Sequence, residues 1–93
     1  MDVNRTYNSG VNVTITESAR RDFAALPRVI QARMLGLFER LADWSDVSGA
    51  KPLTGNLAGR YRLRTGDYRL QFRVRGDYVL IEKIGHRKDI YED

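Results

Sequence analysis

Two Gly-Asp-Tyr tripeptides, at 66–68 and 76–78, constrain what this chain can fold into more than any other feature of it. Each is flanked by runs in which apolar residues alternate with arginine or other polar residues, the period of a half-buried strand. Glycine at the first central position of a two-residue loop supplies the positive φ that a tight hairpin turn requires. With Gly66-Asp67 as the first turn, Thr65 faces Tyr68, Arg64 faces Arg69, Leu63 faces Leu70, Arg62 faces Gln71 and Tyr61 faces Phe72. With Gly76-Asp77 as the second, Val74 faces Val79 and Phe72 faces Ile81. The apolar residues then form one continuous face over three strands, and a one-residue slip would turn all of them to water. We read the repeat as turn chemistry used twice, not as a duplication.

Upstream, the run from Val11 to Thr16 alternates with Val11, Val13 and Ile15 on one side, a half-buried strand. Thr16 can cap a helix from Glu17 to about Leu26, with Glu17 at the positive end of its dipole and Ala19, Phe23 and Leu26 turned inward. Pro27 ends that helix and can open the next, which carries Ile30, Met34, Leu37, Phe38 and Leu41 as a stripe of 3.6-residue period. Arg28, Arg33, Glu39, Arg40 and Asp43 lie off the stripe, and Trp44 follows it to close the core. Ser45 to Gly59 reads as loop, punctuated by Gly49, Pro52, Gly55 and Gly59 and anchored by Leu53 and Leu57. The expected class is α+β: an N-terminal strand, a two-helix hairpin, then an antiparallel sheet of at least three further strands with the helices packed on one face. Residues 1–10 carry no pattern and are expected to form a flexible arm. Residues 11–93 are expected to form a single domain, as a 93-residue chain suggests.

Composition narrows the chemistry. The chain has no cysteine and one histidine, which removes disulfides, thiolate catalysis and a His-rich metal site from consideration. No apolar run approaches the roughly 20 residues that span a bilayer, and Met1 to Gly10 lacks the apolar core of a secretory signal. A cytoplasmic protein with no membrane association, metal or cofactor is the expectation. No phosphate-binding glycine loop, paired-carboxylate site or activated serine is present either.

The second face of the hairpin sheet carries the remaining information. Residues 60–91 hold nine cations against four anions, while the whole chain has a formal net charge of +4. A clustered excess suggests an anionic partner. That face is expected to present Arg62, Arg64, Arg69, Gln71 and Arg73, with Leu80, Glu82 and Ile84 on the last strand. Arg64 directly opposite Arg69 is unfavourable by roughly 0.2–1 kcal/mol in an isolated sheet. Glu82, placed opposite Gln71, adds only one counter-charge. Such a local conflict fits a phosphate site better than arginines splayed into water. Lys51, in the preceding loop, can reach a phosphate. If the last strand continues, His86 leaves on the Arg69 side, although Gly85 can bulge there and alter the facing. Histidine suits proton transfer near neutral pH. Tyr91 can stack on a base or, among arginines, act as a base itself. The choice between His86 and Tyr91 stays open.

Two motifs, L-x-G-x-L-x-G-x-Y-R-x-R-x-G-D-Y-R (Leu53 to Arg69) and I-G-H-R-x-D-x-Y (Ile84 to Tyr91), together with the element order, resemble the RelE/ParE superfamily of bacterial toxins, and within it the RelE-like mRNA interferases. The resemblance implies a metal-independent endoribonuclease that inhibits translation. It cleaves mRNA, often on the ribosome, by attack of a ribose 2′-OH on its own phosphodiester. It also implies a cognate antitoxin that covers the basic groove, with a toxin–antitoxin hetero-oligomer as the resting state. Catalytic roles would fall to Arg62, Arg64, Arg69, Arg87 and Tyr91, with His86 beside Arg87 as an extra proton-transfer candidate outside the family pattern, and Lys51, Arg73 and Lys88 are expected as further RNA contacts. Two departures stand out: arginines occupy 62 and 64 where the best-known pattern has lysines, and the spacing to Tyr91 is shorter. A ParE-like toxin that poisons DNA gyrase without cutting RNA is the alternative, and an inactive RNA-binding relative is a third.

Overall fold

A computed structural model describes residues 11–90, so the expected N-terminal arm and Tyr91 lie outside the described residues. Strand β1 (Asn12–Ile15) leads into helices α1 (Glu17–Ala24) and α2 (Arg28–Leu41). A two-residue strand β2 (Lys51–Pro52) and a 3-10 turn (Gly55–Leu57) precede β3 (Arg60–Thr65), β4 (Tyr68–Arg75) and β5 (Tyr78–His86). The five strands lie in the order β1-β5-β4-β3-β2. Strand β1 runs parallel to β5 and every other pair is antiparallel.

The local signals act as their chemistry requires. Thr16 Oγ1 accepts the Ala19 N–H at 3.0 Å and starts α1. Gln31 of α2 donates its amide to the Phe23 carbonyl at 3.0 Å, which ties the end of α1 to the next helix. Gly66 and Gly76 adopt φ of 61° and 59°, and no non-glycine residue among those described has positive φ. That combination is the type II′ hairpin turn, whose twist matches the flanking strands. All the cross-strand pairs expected around the two turns are present, Arg64 against Arg69 included.

The inner face of the sheet packs on both helices. Met34, Leu37 and Leu41 of α2 meet Leu63, Leu70, Phe72, Val79 and Ile81, all buried. Trp44 closes this core edge-on to Tyr61 and Phe72, with centroids 4.8 and 5.4 Å apart. The segment 45–59 is more structured than a loop: β2 extends the sheet beside β3, and Leu53, the residue after it, is buried and donates its N–H to the Arg60 carbonyl at 2.9 Å.

One irregularity corrects three expectations. Gln71 pairs with Lys83 whereas Phe72 pairs with Ile81, so Glu82 is the extra residue of a β-bulge. Glu82 therefore does not face Gln71. Beyond the bulge the alternation of β5 reverses. Ile84, expected on the arginine side, is buried in the core at 4% exposure. His86, expected on the Arg69 side, instead lies opposite Tyr68, its ring edge-on to the tyrosine at 5.2 Å. Asp22 of α1 accepts the Ile84 N–H at 3.1 Å, satisfying a backbone donor on the part of β5 that β1 does not reach.

Candidate functional site

The outer face of the sheet is built in rows fixed by strand register. Lys51, Arg62, Gln71 and Lys83 lie side by side across β2, β3, β4 and β5. The next row holds Arg64, Arg69 and Gly85, and a third holds Arg60, Arg73 and Leu80. The first two rows carry five cations and no carboxylate. Lys83 was not singled out from sequence, because only the bulge places it beside Gln71.

Arg69 is the most deeply set of these cations, at 8% exposure. Its Nη1 donates to the carbonyls of Gly66 at 3.2 Å and Tyr68 at 3.4 Å, which fixes the guanidinium at the first turn. Backbone dipoles thus receive a charge that faces another arginine. Gln71, at 4% exposure, is a buried neutral residue in the middle of the basic row. Arg62 is half-buried, while Arg64 and Lys51 are exposed.

Arg87 stands just past β5, and the first turn holds it. Its N–H donates to the Asp67 carbonyl at 2.7 Å, and its Nε lies 3.8 Å from Asp67 Oδ1, both side chains being largely exposed. The first turn, which holds Arg69, and Arg87 are therefore brought together. His86 is not on their face. Its Nδ1 accepts the Lys88 N–H at 3.1 Å and its carbonyl accepts the Asp89 N–H at 2.8 Å, so it shapes the turn that carries the tail away from β5. Lys88 is exposed at that turn.

At the other end of the face the charges are paired. Glu82 accepts from Arg60 Nε at 2.7 Å through Oε1, and its Oε2 lies 3.3 Å from Arg73 Nε, an ion-pair distance without hydrogen-bond alignment. Arg73, expected to touch RNA, thus has a carboxylate beside it. The bulge brings this about by turning Glu82 and Lys83 toward the same side. The sequence carried a signal for it: the buried apolar residues of β5 step from Val79 to Ile81 and then by three to Ile84.

Chemically, the first two rows can hold and neutralise phosphate. Arginine stays protonated near neutral pH, so it supplies charge and donors but not proton transfer. Among the described residues no group of three or more His, Cys, Asp or Glu side chains is arranged to hold a metal ion. Nor, among those residues, is any helix long and apolar enough to cross a membrane.

Comparison with known proteins places this geometry. The family model for the ParE toxin of type II toxin–antitoxin systems (parDE) matches residues 13–91. Toxin RelG of Mycobacterium tuberculosis is 38% identical over 82 residues, an alignment that spans 85% of this chain and 93% of RelG. Among solved structures, the toxin–antitoxin complex RelBE2 of M. tuberculosis superposes with a TM-score of 0.73 at 35% identity, covering 85% of this chain and 93% of the matched one. The RelB–RelE antitoxin–toxin complex of Methanococcus jannaschii gives 0.71 at 25% identity, covering 84% and 94%.

Proposed function

This chain belongs to the RelE/ParE superfamily of type II toxin–antitoxin toxins, and on that premise we propose that its outer sheet face binds messenger RNA on the ribosome and cleaves it, stopping translation. The observation that carries the reading is the pair of rows around Arg64 and Arg69, where strand register brings five cations together. In this mechanism a ribose 2′-oxygen attacks the adjacent phosphorus and the bond to the 5′-oxygen breaks. The 2′-OH proton passes to a base and the leaving 5′-oxygen gains a proton. The products are a 2′,3′-cyclic phosphate and a 5′-OH. Arg62, Arg64 and Arg69 hold the phosphate and neutralise the charge that grows on it. Arg87, tethered to the first turn, joins them or assists the leaving oxygen, and no metal ion is required.

His86 fits this scheme as a positioning residue that shapes the turn after Arg87, since it stands on the Tyr68 side of the sheet. Tyr91, the other sequence candidate, remains the proposed proton acceptor. An acidic cognate antitoxin would cover the basic rows at rest. The solved relatives RelBE2 and RelB–RelE, being toxin–antitoxin complexes, support such a partner. The match to the ParE model favours a second reading, in which the protein poisons DNA gyrase and cuts no RNA.

One assay separates them. Purified toxin is incubated with ribosomes and mRNA, and in parallel with gyrase and DNA. RNA cuts with cyclic-phosphate and 5′-OH ends support the first reading. Ends with 3′-OH and 5′-phosphate would exclude the mechanism, and gyrase-dependent DNA breaks without RNA cuts would establish the second.

A further inference from the structure

Beyond the Glu82 end of the basic rows, the same face opens into a groove of about 400 Å³ lined by Thr14, Arg73, Arg75, Tyr78, Leu80 and Glu82. Register makes it a continuous strip. Tyr78 stands opposite Arg75, Leu80 opposite Arg73, and Thr14 of β1 beside Leu80. Tyr78 is 53% exposed, the half-buried Leu80 forms an apolar floor, and Arg75 is open to solvent across from the ring. Glu82 braces Arg73 and Arg60 on this wall of the groove.

A lone exposed tyrosine would carry no inference. This one faces an arginine over an aliphatic floor, on the face that carries the phosphate-binding rows. A ring supplies a stacking surface that accepts any base, and a nearby guanidinium supplies a phosphate contact. The groove begins about 13 Å from Arg69 along β4, four residues at strand rise, so a single strand seated at Arg69 can run into it. An acidic protein segment would use the cations but has no particular need of the ring and floor together.

We propose that Tyr78 and Arg75 form a nucleobase subsite, which takes an unpaired base and its phosphate flanking the scissile bond. The inference rests on the RNA-cleaving reading and deepens it. Tyr78 binds substrate there and takes no part in bond breaking. It makes the toxin sensitive to the length of single strand beside the cut.

The test uses the whole chain and oligoribonucleotides of two lengths, one covering the Arg69 end alone and one extended on both sides. Binding is followed by fluorescence anisotropy, and cleavage is followed on the same strands and on ribosome-bound mRNA. Tyr78→Ala is expected to weaken the extended strand about tenfold, the scale of losing one base–aromatic stack. The short strand and kcat should be unaffected, and Tyr78→Phe should restore binding because the ring, not the hydroxyl, is needed. Equal loss on both lengths, no loss on the extended strand, or a Phe variant as weak as Ala would each overturn the subsite. So would unchanged RNA binding with weakened capture of the co-expressed antitoxin, which would make the groove a protein surface. If the wild type cuts no RNA, the cleavage reading fails on its own, and the anisotropy comparison still decides whether the groove holds a base.

Discussion

The two Gly-Asp-Tyr turns begin alike and end differently. In both, glycine takes a φ near 60° and the aspartate carbonyl accepts an N–H from a later or earlier segment, Arg87 at 2.7 Å for Asp67 and Asn12 at 2.8 Å for Asp77. Yet Tyr68 points inward to the core and His86, while Tyr78 points outward and stays exposed. The next residues are likewise opposed: Arg69 lies on the outer face and Val79 is fully buried in the core. The cause is strand length. Eight residues of β4 separate the turns, so the pair closing the first hairpin is inward and the pair closing the second is outward. Turn chemistry fixes where the chain reverses, and the parity of the strand between decides what the reversal displays.

The position after each turn offers the sharpest way to break that comparison. Arg69→Ala is expected to lower mRNA cleavage roughly 10²–10³-fold, the scale of losing a donor to transition-state charge. Its two carbonyl contacts add about 1–3 kcal/mol of stability. Val79→Ala should do the reverse, costing about 2 kcal/mol through lost apolar burial while leaving activity per folded molecule intact. Cleavage assays beside urea unfolding check both, and similar losses of activity in the two variants would remove the asymmetry. The tyrosines follow. Tyr68→Ala should cost about 2–3 kcal/mol, a partly buried aromatic lost from the core edge. Tyr78→Ala should stay within about 0.5 kcal/mol in the same unfolding measurement.

The sequence supported the two turns, their register and the α2 stripe because each rests on a local rule that tertiary context reinforced. Ile30, Met34, Leu37 and Leu41 are buried as their spacing required. Less legible was whatever depended on a neighbour distant in sequence. β2 has only two residues, one of them proline, and exists because β3 pairs with it. The bulge at Glu82 has no glycine to announce it, and Gly85, the residue that suggested one, does not mark it. That single extra residue returned Ile84 to the core, moved His86 off the arginine face and put Lys83 in the basic row. The candidate site was therefore legible on β3 and β4, where the turns set the register, and obscured on the far half of β5.

A matched pair at the turns themselves should give smaller, equal effects. Gly66→Ala and Gly76→Ala each force a side chain into the left-handed region at about 1–2 kcal/mol. A Cβ would meet little at either site, its nearest contact at Gly66 being Arg33 Nη1 at 3.6 Å with nothing within 4 Å at Gly76. Unequal thermal shifts would mean that one turn carries strain the other lacks.

The smallest effect sits at Asp67, where, among the described residues, the two turns differ by an ion pair. Asp67→Asn removes the carboxylate 3.8 Å from Arg87 Nε, but both groups are more than half exposed, 64% and 61%. Such a pair is screened, and its loss should change stability by no more than about 0.5 kcal/mol. The Arg87 N–H still donates to the Asp67 carbonyl, so Arg87 keeps its place. What changes is competition: a phosphate no longer displaces a carboxylate to reach Arg87. On an RNA short enough to cover the Arg69 end alone, Asp67→Asn should lower KM about two- to fivefold at low salt, an advantage lost near 1 M salt where screening falls to about 3 Å. Asp77→Asn makes the same change in net charge at the other turn and should leave KM for that RNA unchanged. Equal tightening by both variants would show that only the overall charge matters, and that the first turn holds no privileged position beside the phosphate.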